Sequence, residues 1–173
     1  MAGHSEPCEA LLGLGGNVGD VRAALARALQ AMDADPQVTV RAVSRLWRTP
    51  AWGRTDQPDF LNAAALIETR LGARDLLFAL QALETAGGRV RRERWGPRTL
   101  DIDILFFGSS NIDEPGLTVP HPQIGARAFV LAPLQDICGD ALPDGRTISR
   151  MLAELDTGDL SPLVVAPNWW KAA

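Results

Sequence analysis

The sequence predicts an α+β fold: a ferredoxin-like βαββαβ core, with two helices packed on one face of an antiparallel sheet, followed by a C-terminal extension. Three observations predict it. Two stretches, Val21 to Met32 and Ala73 to Ala86, repeat apolar residues at helical spacing. Four other stretches are short apolar or β-branched runs bounded by glycine, proline or aspartate. The two kinds occur in the order strand, helix, strand, strand, helix, strand. At 173 residues the chain can bury one sizeable core and is too short for two ordinary domains, so 1–173 reads as a single domain.

The polar segment 1–8 reads as a disordered leader. Ala10 to Leu14 then reads as a short buried strand, and Gly15-Gly16-Asn17-Val18-Gly19 as a loop. Asp20 is a helix N-cap, and Val21, Ala24, Leu25, Ala28, Leu29 and Met32 form the apolar stripe of the first helix. Val38 to Trp47 is β-branched and reads as one strand; 48–59, with Pro50, Gly53 and Pro58, is a long loop. Phe60 to Thr69 is the third strand. The second helix carries Leu76, Leu77, Leu80 and Leu83 on one face and stops at Gly87-Gly88. Leu100 to Phe107 is the fourth strand. Beyond it come a turn over 108–116, helical stretches within Ala126 to Ile137 and around Ile148 to Leu155, and a Trp169-Trp170 pair. That pair either covers an edge of the core or crowds a C-terminal tail.

The most informative segment is Arg94-Trp95-Gly96-Pro97-Arg98-Thr99-Leu100-Asp101-Ile102-Asp103. Residues i and i+2 of a strand share a face. Asp101 and Asp103 therefore project together, while Leu100, Ile102 and Ile104 bury the other side. Two adjacent carboxylates repel unless a cation lies between them. A solvated acidic face is one reading. The arginines just upstream favour another, a magnesium–nucleotide site. Arg89, Arg91, Arg92, Arg94 and Arg98 are opposed only by Glu93, and such a cluster calls for an anionic partner.

Other features narrow the function. A formal net charge of −4 argues against a general nucleic-acid binder. Lys171 is the only lysine, so a G-x-x-x-x-G-K-[ST] loop is excluded. Val18 stands where a dinucleotide fingerprint needs its third glycine, so the glycines are read instead as letting backbone approach a flat ligand or a neighbouring loop. Two histidines argue against a zinc site. Cys8 and Cys138, without a secretion signal, suggest free thiols and a cytoplasmic protein, and no apolar run is long enough to span a membrane. An RNA-recognition domain shares the βαββαβ order but needs strand aromatics, of which the third strand has only Phe60. Asn62 either bridges to nearby backbone or binds a ligand. His121, rigid between two prolines, is a surface residue or a phosphate donor. Trp95 is an apolar ring in a polar loop, which is costly to expose without purpose.

Several segments together resemble the 6-hydroxymethyl-7,8-dihydropterin pyrophosphokinase family of folate biosynthesis. They are Leu14-Gly15-Gly16-Asn17 with Gly19-Asp20, Arg48-Thr49-Pro50, Gln57-Pro58-Asp59-Phe60-Leu61-Asn62-Ala63, Gly88-Arg89-Val90-Arg91, Arg94 through Asp103, and Leu117-Thr118-Val119-Pro120-His121-Pro122. The resemblance implies a ferredoxin-like fold and transfer of diphosphate from ATP, with two Mg2+, to the pterin hydroxymethyl group, releasing AMP. It implies that Asp101 and Asp103 are the ligands of both metals, and that Arg89 and Arg94 belong to a catalytic arginine loop. Gln81, Glu84, Arg91, Arg98, Thr118, His121 and Arg127 then match nucleotide contacts. Thr49, Pro50, Trp52, Phe60, Asn62, Trp95 and Phe129 match the pterin side. The implied partners are the two small substrates alone, with no nucleic acid and no membrane, and the implied state is a monomer. The arginine loop is one residue shorter than in other members, and Gly116, Pro122 and Trp52 depart from residues found there. A nucleotidyl transferase built on the same acidic pair is the rival enzyme, and it would release pyrophosphate instead of AMP.

Overall fold

The computed structural model describes residues 6–51, 56–88 and 99–171. The first strand, β1, runs over Cys8–Gly16. Helix α1 follows at Val21–Ala34, opened by Asp20, whose carboxylate accepts from the Ala23 amide at 3.1 Å. Strands β2 (Val38–Val43), β3 (Trp47–Thr49) and β4 (Phe60–Thr69) come next, then α2 (Ala73–Ala86) and β5 (Asp101–Phe107). A hairpin of β6 (Ile112–Glu114) and β7 (Leu117–Val119) leads to a 3-10 turn at Ile124–Ala126. Helices α3 (Ala128–Cys138) and α4 (Ile148–Ala153) and the two-residue β8 (Ser161–Pro162) complete the chain.

One antiparallel sheet has the order β5-β1-β4-β3-β8, with β2 lying beside β3 along the same edge of β4. Alternation along the strands makes two cores. Ala10, Leu12, Leu14, Ala63, Ala65, Ile67, Ile102 and Ile104 pack with α1 and α2 on one face. Leu11, Ala64, Leu105 and Phe106 pack with α3 and α4 on the other. The alanines of β4 are small where both faces must admit a helix. The second cluster makes the molecule three layers deep, so the C-terminal extension is the cover of the sheet's other face.

The strand expectations need four corrections. β1 begins at Cys8, inside the expected leader, and it continues through Gly15 and Gly16, which pair with Asn62 and Leu61 instead of looping. The expected strand Val38–Trp47 breaks at Ser44–Leu46. There the Ser44 hydroxyl accepts from the Ala64 amide at 2.8 Å and donates to the Arg45 carbonyl at 2.7 Å, so a side chain substitutes for the ladder. The expected turn over 108–116 contains strand β6. Within β5 the register against β1 shifts, so that Leu11 faces Phe106 and Leu12 faces Ile104. Leu105 is the extra residue of a bulge, and Phe106 joins the α3 cluster against simple alternation.

Two contacts tie the layers together. Asp136 on α3 receives the Arg45 amide at 3.1 Å, the Arg45 guanidinium at 3.2 and 2.9 Å, and the Trp47 indole N–H at 3.0 Å. The guanidinium also stacks on the Trp47 ring, 5.0 Å from its centroid. At the C-terminal end, Trp169 is buried in the first core and donates its indole N–H to the Ser44 carbonyl at 2.9 Å. The Trp170 carbonyl accepts from Gln30 of α1 at 2.7 Å. The tryptophan pair therefore plugs the core at the strand break, the first of its two expected placements.

Burial pushes the Asp136 carboxyl up, but the bonds from the Arg45 side chain, the Trp47 indole and the Arg45 amide outweigh it and hold the group below its ordinary value of 3.8. A depressed folded value means the stabilisation is complete above that ordinary value and fades as pH falls through the folded one. Asp136→Ala should cost about 1–2 kcal/mol in urea unfolding at pH 7, with the difference from wild type shrinking below about pH 4. Trp169→Ala should cost about 3–5 kcal/mol in the same assay, with no pH dependence of its own.

Candidate functional site

The bare middle of β1 makes the floor of a cavity. Gly13 pairs with Asp103 of β5 and Ala64 of β4; Gly15 pairs with Asp101 and Asn62. Directly opposed residues share a face, so Asp101, Gly15 and Asn62 form one row across three strands. A β-carbon built on Gly15 collides with Asn62 Oδ1, whereas one on Gly13 meets only Leu105 methyls, at 3.5 Å. The glycine at 15 is thus a steric requirement of the Asn62 position. Thr49 pairs with Phe60, which extends the floor onto β3.

The start of α3 forms the roof. An open cavity of about 530 Å³ lies between this floor, the Gln123 and Arg127–Val130 region, and an outer wall of Leu155, Asp156, Asp159 and Leu160. Of the residues expected to bind pterin, Thr49, Pro50, Phe60, Asn62 and Phe129 line it, as do Asp101, Asp103 and Arg127. Asn62 is 8% exposed, and its Nδ2 has no hydrogen-bond partner among the described residues. An orphaned buried donor costs roughly 1–3 kcal/mol, which a ligand acceptor placed in the cavity would recover.

The other expected residues fall elsewhere. Gln81 and Thr118 lie outside the cavity lining, and the Thr118 hydroxyl donates to Asp113 at 3.3 Å. Glu84 is buried, and its Oε1 accepts from the Ile102 amide at 2.8 Å; that bond is made to β5, not into the cavity. His121 follows a cis Val119–Pro120 peptide and is fastened to β5, its amide donating to the Leu105 carbonyl at 2.9 Å. Its Nδ1 accepts from the Gln123 amide at 3.2 Å, which leaves the proton on Nε2 in the neutral ring. Burial lowers the His121 pKa, Asp103 raises it and Arg127 lowers it again; the net value is below 6.5, so the ring is a neutral donor at pH 7. Trp52, Arg89, Arg91, Arg94, Trp95 and Arg98 lie outside the described residues.

Residues to which motif reading assigned no role do two jobs. Asn17, 3% exposed, donates from Nδ2 to the Gln57 side chain and the Pro58 carbonyl, both at 3.1 Å, and so pins the approach to Phe60. Its signal in the sequence was its place in the Leu14-Gly15-Gly16-Asn17 segment that carries the family resemblance. The wall at 155–160 had none: two leucines and two exposed acids after a short helix look like any surface turn.

Among the described residues no group of three or more His, Cys, Asp or Glu side chains could hold a metal ion alone. A magnesium site on a nucleotide asks for less. Mg2+ usually keeps several waters and takes one or two carboxylates plus phosphate oxygens, which fits Asp101 and Asp103 beside a glycine floor.

The family described as 7,8-dihydro-6-hydroxymethylpterin-pyrophosphokinase (HPPK) matches residues 11–139. The chain belongs to this family. The 2-amino-4-hydroxy-6-hydroxymethyldihydropteridine pyrophosphokinase of Methylorubrum extorquens is 46% identical over 147 residues, 85% of this chain and 93% of that protein. The enzyme of the same name from Pseudomonas aeruginosa is 49% identical over 141 residues, 81% and 87% of the two chains. Among solved structures, a Plasmodium falciparum HPPK-DHPS variant with pterin and p-hydroxybenzoate superposes with a TM-score of 0.70 at 15% identity, over 95% of this chain. This chain spans 48% of that protein's length, and the likeness is one of fold.

Gly15→Ala should overpack the Asn62 position by about 1–3 kcal/mol, weakening dihydropterin binding roughly tenfold to a hundredfold in calorimetry. Gly13→Ala, which meets only ordinary contacts, should bind as wild type does.

Proposed function

We propose that this cavity is where the chain carries out its family's reaction: transfer of diphosphate from ATP to the hydroxymethyl oxygen of 6-hydroxymethyl-7,8-dihydropterin, yielding AMP and the pterin diphosphate for folate synthesis. The carrying observation is the row Asp101, Gly15, Asn62. With Asp103 two residues along β5, it sets an acidic pair for a metal–triphosphate beside a buried amide whose Nδ2 has no partner among the described residues, for a flat heterocycle. Phe60 and Phe129, on floor and roof of the same cavity, are the rings between which the bicycle would stack.

The hydroxymethyl oxygen attacks the β-phosphorus in line with the departing α-phosphate oxygen, and the hydroxyl proton is lost to solvent or to phosphate. The described residues supply no convincing protein base. Displacement at phosphorus depends chiefly on positioning and on neutralising charge. Thr49, Phe60, Asn62 and Phe129 would hold the acceptor so that its oxygen lies toward Asp101 and Asp103. Two Mg2+ held by those carboxylates would neutralise the triphosphate and make the attacking hydroxyl more acidic. Arg127 and the Nε2–H of neutral His121 would meet phosphate oxygens from the side of α3. By motif, Arg89, Arg91, Arg94 and Arg98 would add cations as the transition state forms, with Trp95 over the ligands. Gln81 and Thr118 are assigned to the nucleoside end by motif alone. The proposal includes action as a monomer in a reducing cytoplasm, which the two free cysteines fit.

Incubation with ATP, Mg2+ and the dihydropterin should give AMP and pterin diphosphate. Pyrophosphate release with a nucleotide-bearing acceptor would point to the nucleotidyl-transfer rival instead. Asp103→Ala should lower turnover by roughly a thousandfold or more, and chelating Mg2+ from wild type should have the same effect.

A further inference from the structure

Glu84, matched by motif to a nucleotide contact, is a buried carboxylate whose Oε1 is bonded to β5. It is 5% exposed, near the end of α2, on the face turned to β5. Among the described residues β5 is an edge strand: β1 pairs with one side of it and no strand pairs with the other. An edge strand leaves alternate backbone N–H groups unpaired, and under a helix such a group cannot reach water. The Ile102 N–H is one of these, and Glu84 Oε1 accepts it at 2.8 Å in a buried bond. Ile102 stands between Asp101 and Asp103, and its own side chain is 4% exposed.

We propose that Glu84 is a positioning residue that splints the backbone between the two carboxylates. The need for a splint is electrostatic. Two like charges share one face of a strand that, among the described residues, has a strand neighbour on one side only. An orphaned Ile102 N–H would also draw the strand toward any acceptor it could find, turning Asp101 and Asp103 off their common face. A carboxylate acceptor makes this bond short and strong. The role needs an acceptor oxygen and not a charge, which separates it from direct contact with a nucleotide or metal. This inference rests on the reading of Asp101 and Asp103 as metal ligands.

The test uses full-length Glu84→Met, which keeps volume and removes the acceptor, and Glu84→Gln, which keeps the acceptor without charge. The readouts are Ile102 amide exchange by NMR and Mn2+ binding in the presence of a non-hydrolysable ATP analogue, alongside steady-state kinetics. Glu84→Met should speed Ile102 exchange and weaken Mn2+ about tenfold or more, as lost partners of metal ligands do. Its KM for the pterin should stay within about twofold of wild type, and Glu84→Gln should restore both binding and protection. Wild-type Mn2+ affinity in a folded Glu84→Met, a Glu84→Gln as impaired as Glu84→Met, or outright unfolding of Glu84→Met beside a sound Glu84→Gln would each overturn the proposal. Wild-type protein that binds no Mn2+ with the analogue, its Ile102 amide still protected, refutes instead the metal reading of the two aspartates.

Discussion

The site depends on a strand that lacks side chains where its neighbours have chemistry. β1 lies between β4 and β5, and at Gly13 and Gly15 it presents only backbone to the cavity. Any larger residue at 15 would occupy the space of the Asn62 amide. The carboxylates of one strand and the amide of another can therefore face a common volume across a gap one strand wide, about 5 Å per strand step. The other cavity residues complete this arrangement: Phe129 and Arg127 close it from above, and Thr49 and Phe60 extend it sideways.

The two faces of the sheet divide the labour. One is sealed by α1 and α2 around Leu12, Ala65 and Ile104. The other is sealed by α3 and α4 only at one end, around Leu105 and Leu134, and stays open toward Asp101 and Asn62. The Arg45–Asp136–Trp47 clasp holds α3 over β3, so the helix that forms the roof is fastened to the strand that carries Thr49. The bulge at Leu105 turns two successive side chains to α3, which anchors β5 just beyond its acidic pair.

Much of this was legible in residues whose periodicity was undisturbed. The bounds of α2 and β4 agree with the expected Ala73–Ala86 and Phe60–Thr69, because glycines, a proline and sustained apolar patterns mark both. The shared face of Asp101 and Asp103 followed from strand alternation alone. Where a side chain replaces backbone, the sequence pattern misleads. Ser44 hydrogen bonds in place of the ladder, and a β-branched run that reads as one strand becomes two. Glu84 lay at helical spacing with Gln81 and matched a nucleotide contact by motif, yet its bond to Ile102 requires knowing that β5 is an edge. The wall at 155–160 depends on how the chain returns after α4, which no local pattern encodes.

The edges of the sheet bear on what the protein does when it is crowded. An unprotected edge invites a strand from another molecule and is a starting point for aggregation. At one end β8 is two residues long and contains Pro162, which has no N–H to offer. At the other, α2 lies along β5, Glu84 already occupies an outward amide, and a bulge adds local twist. Loosening of α2 would do more than disturb an acidic pair, because it would bare a strand containing Ile102, Ile104, Leu105 and Phe106 to its neighbours in solution.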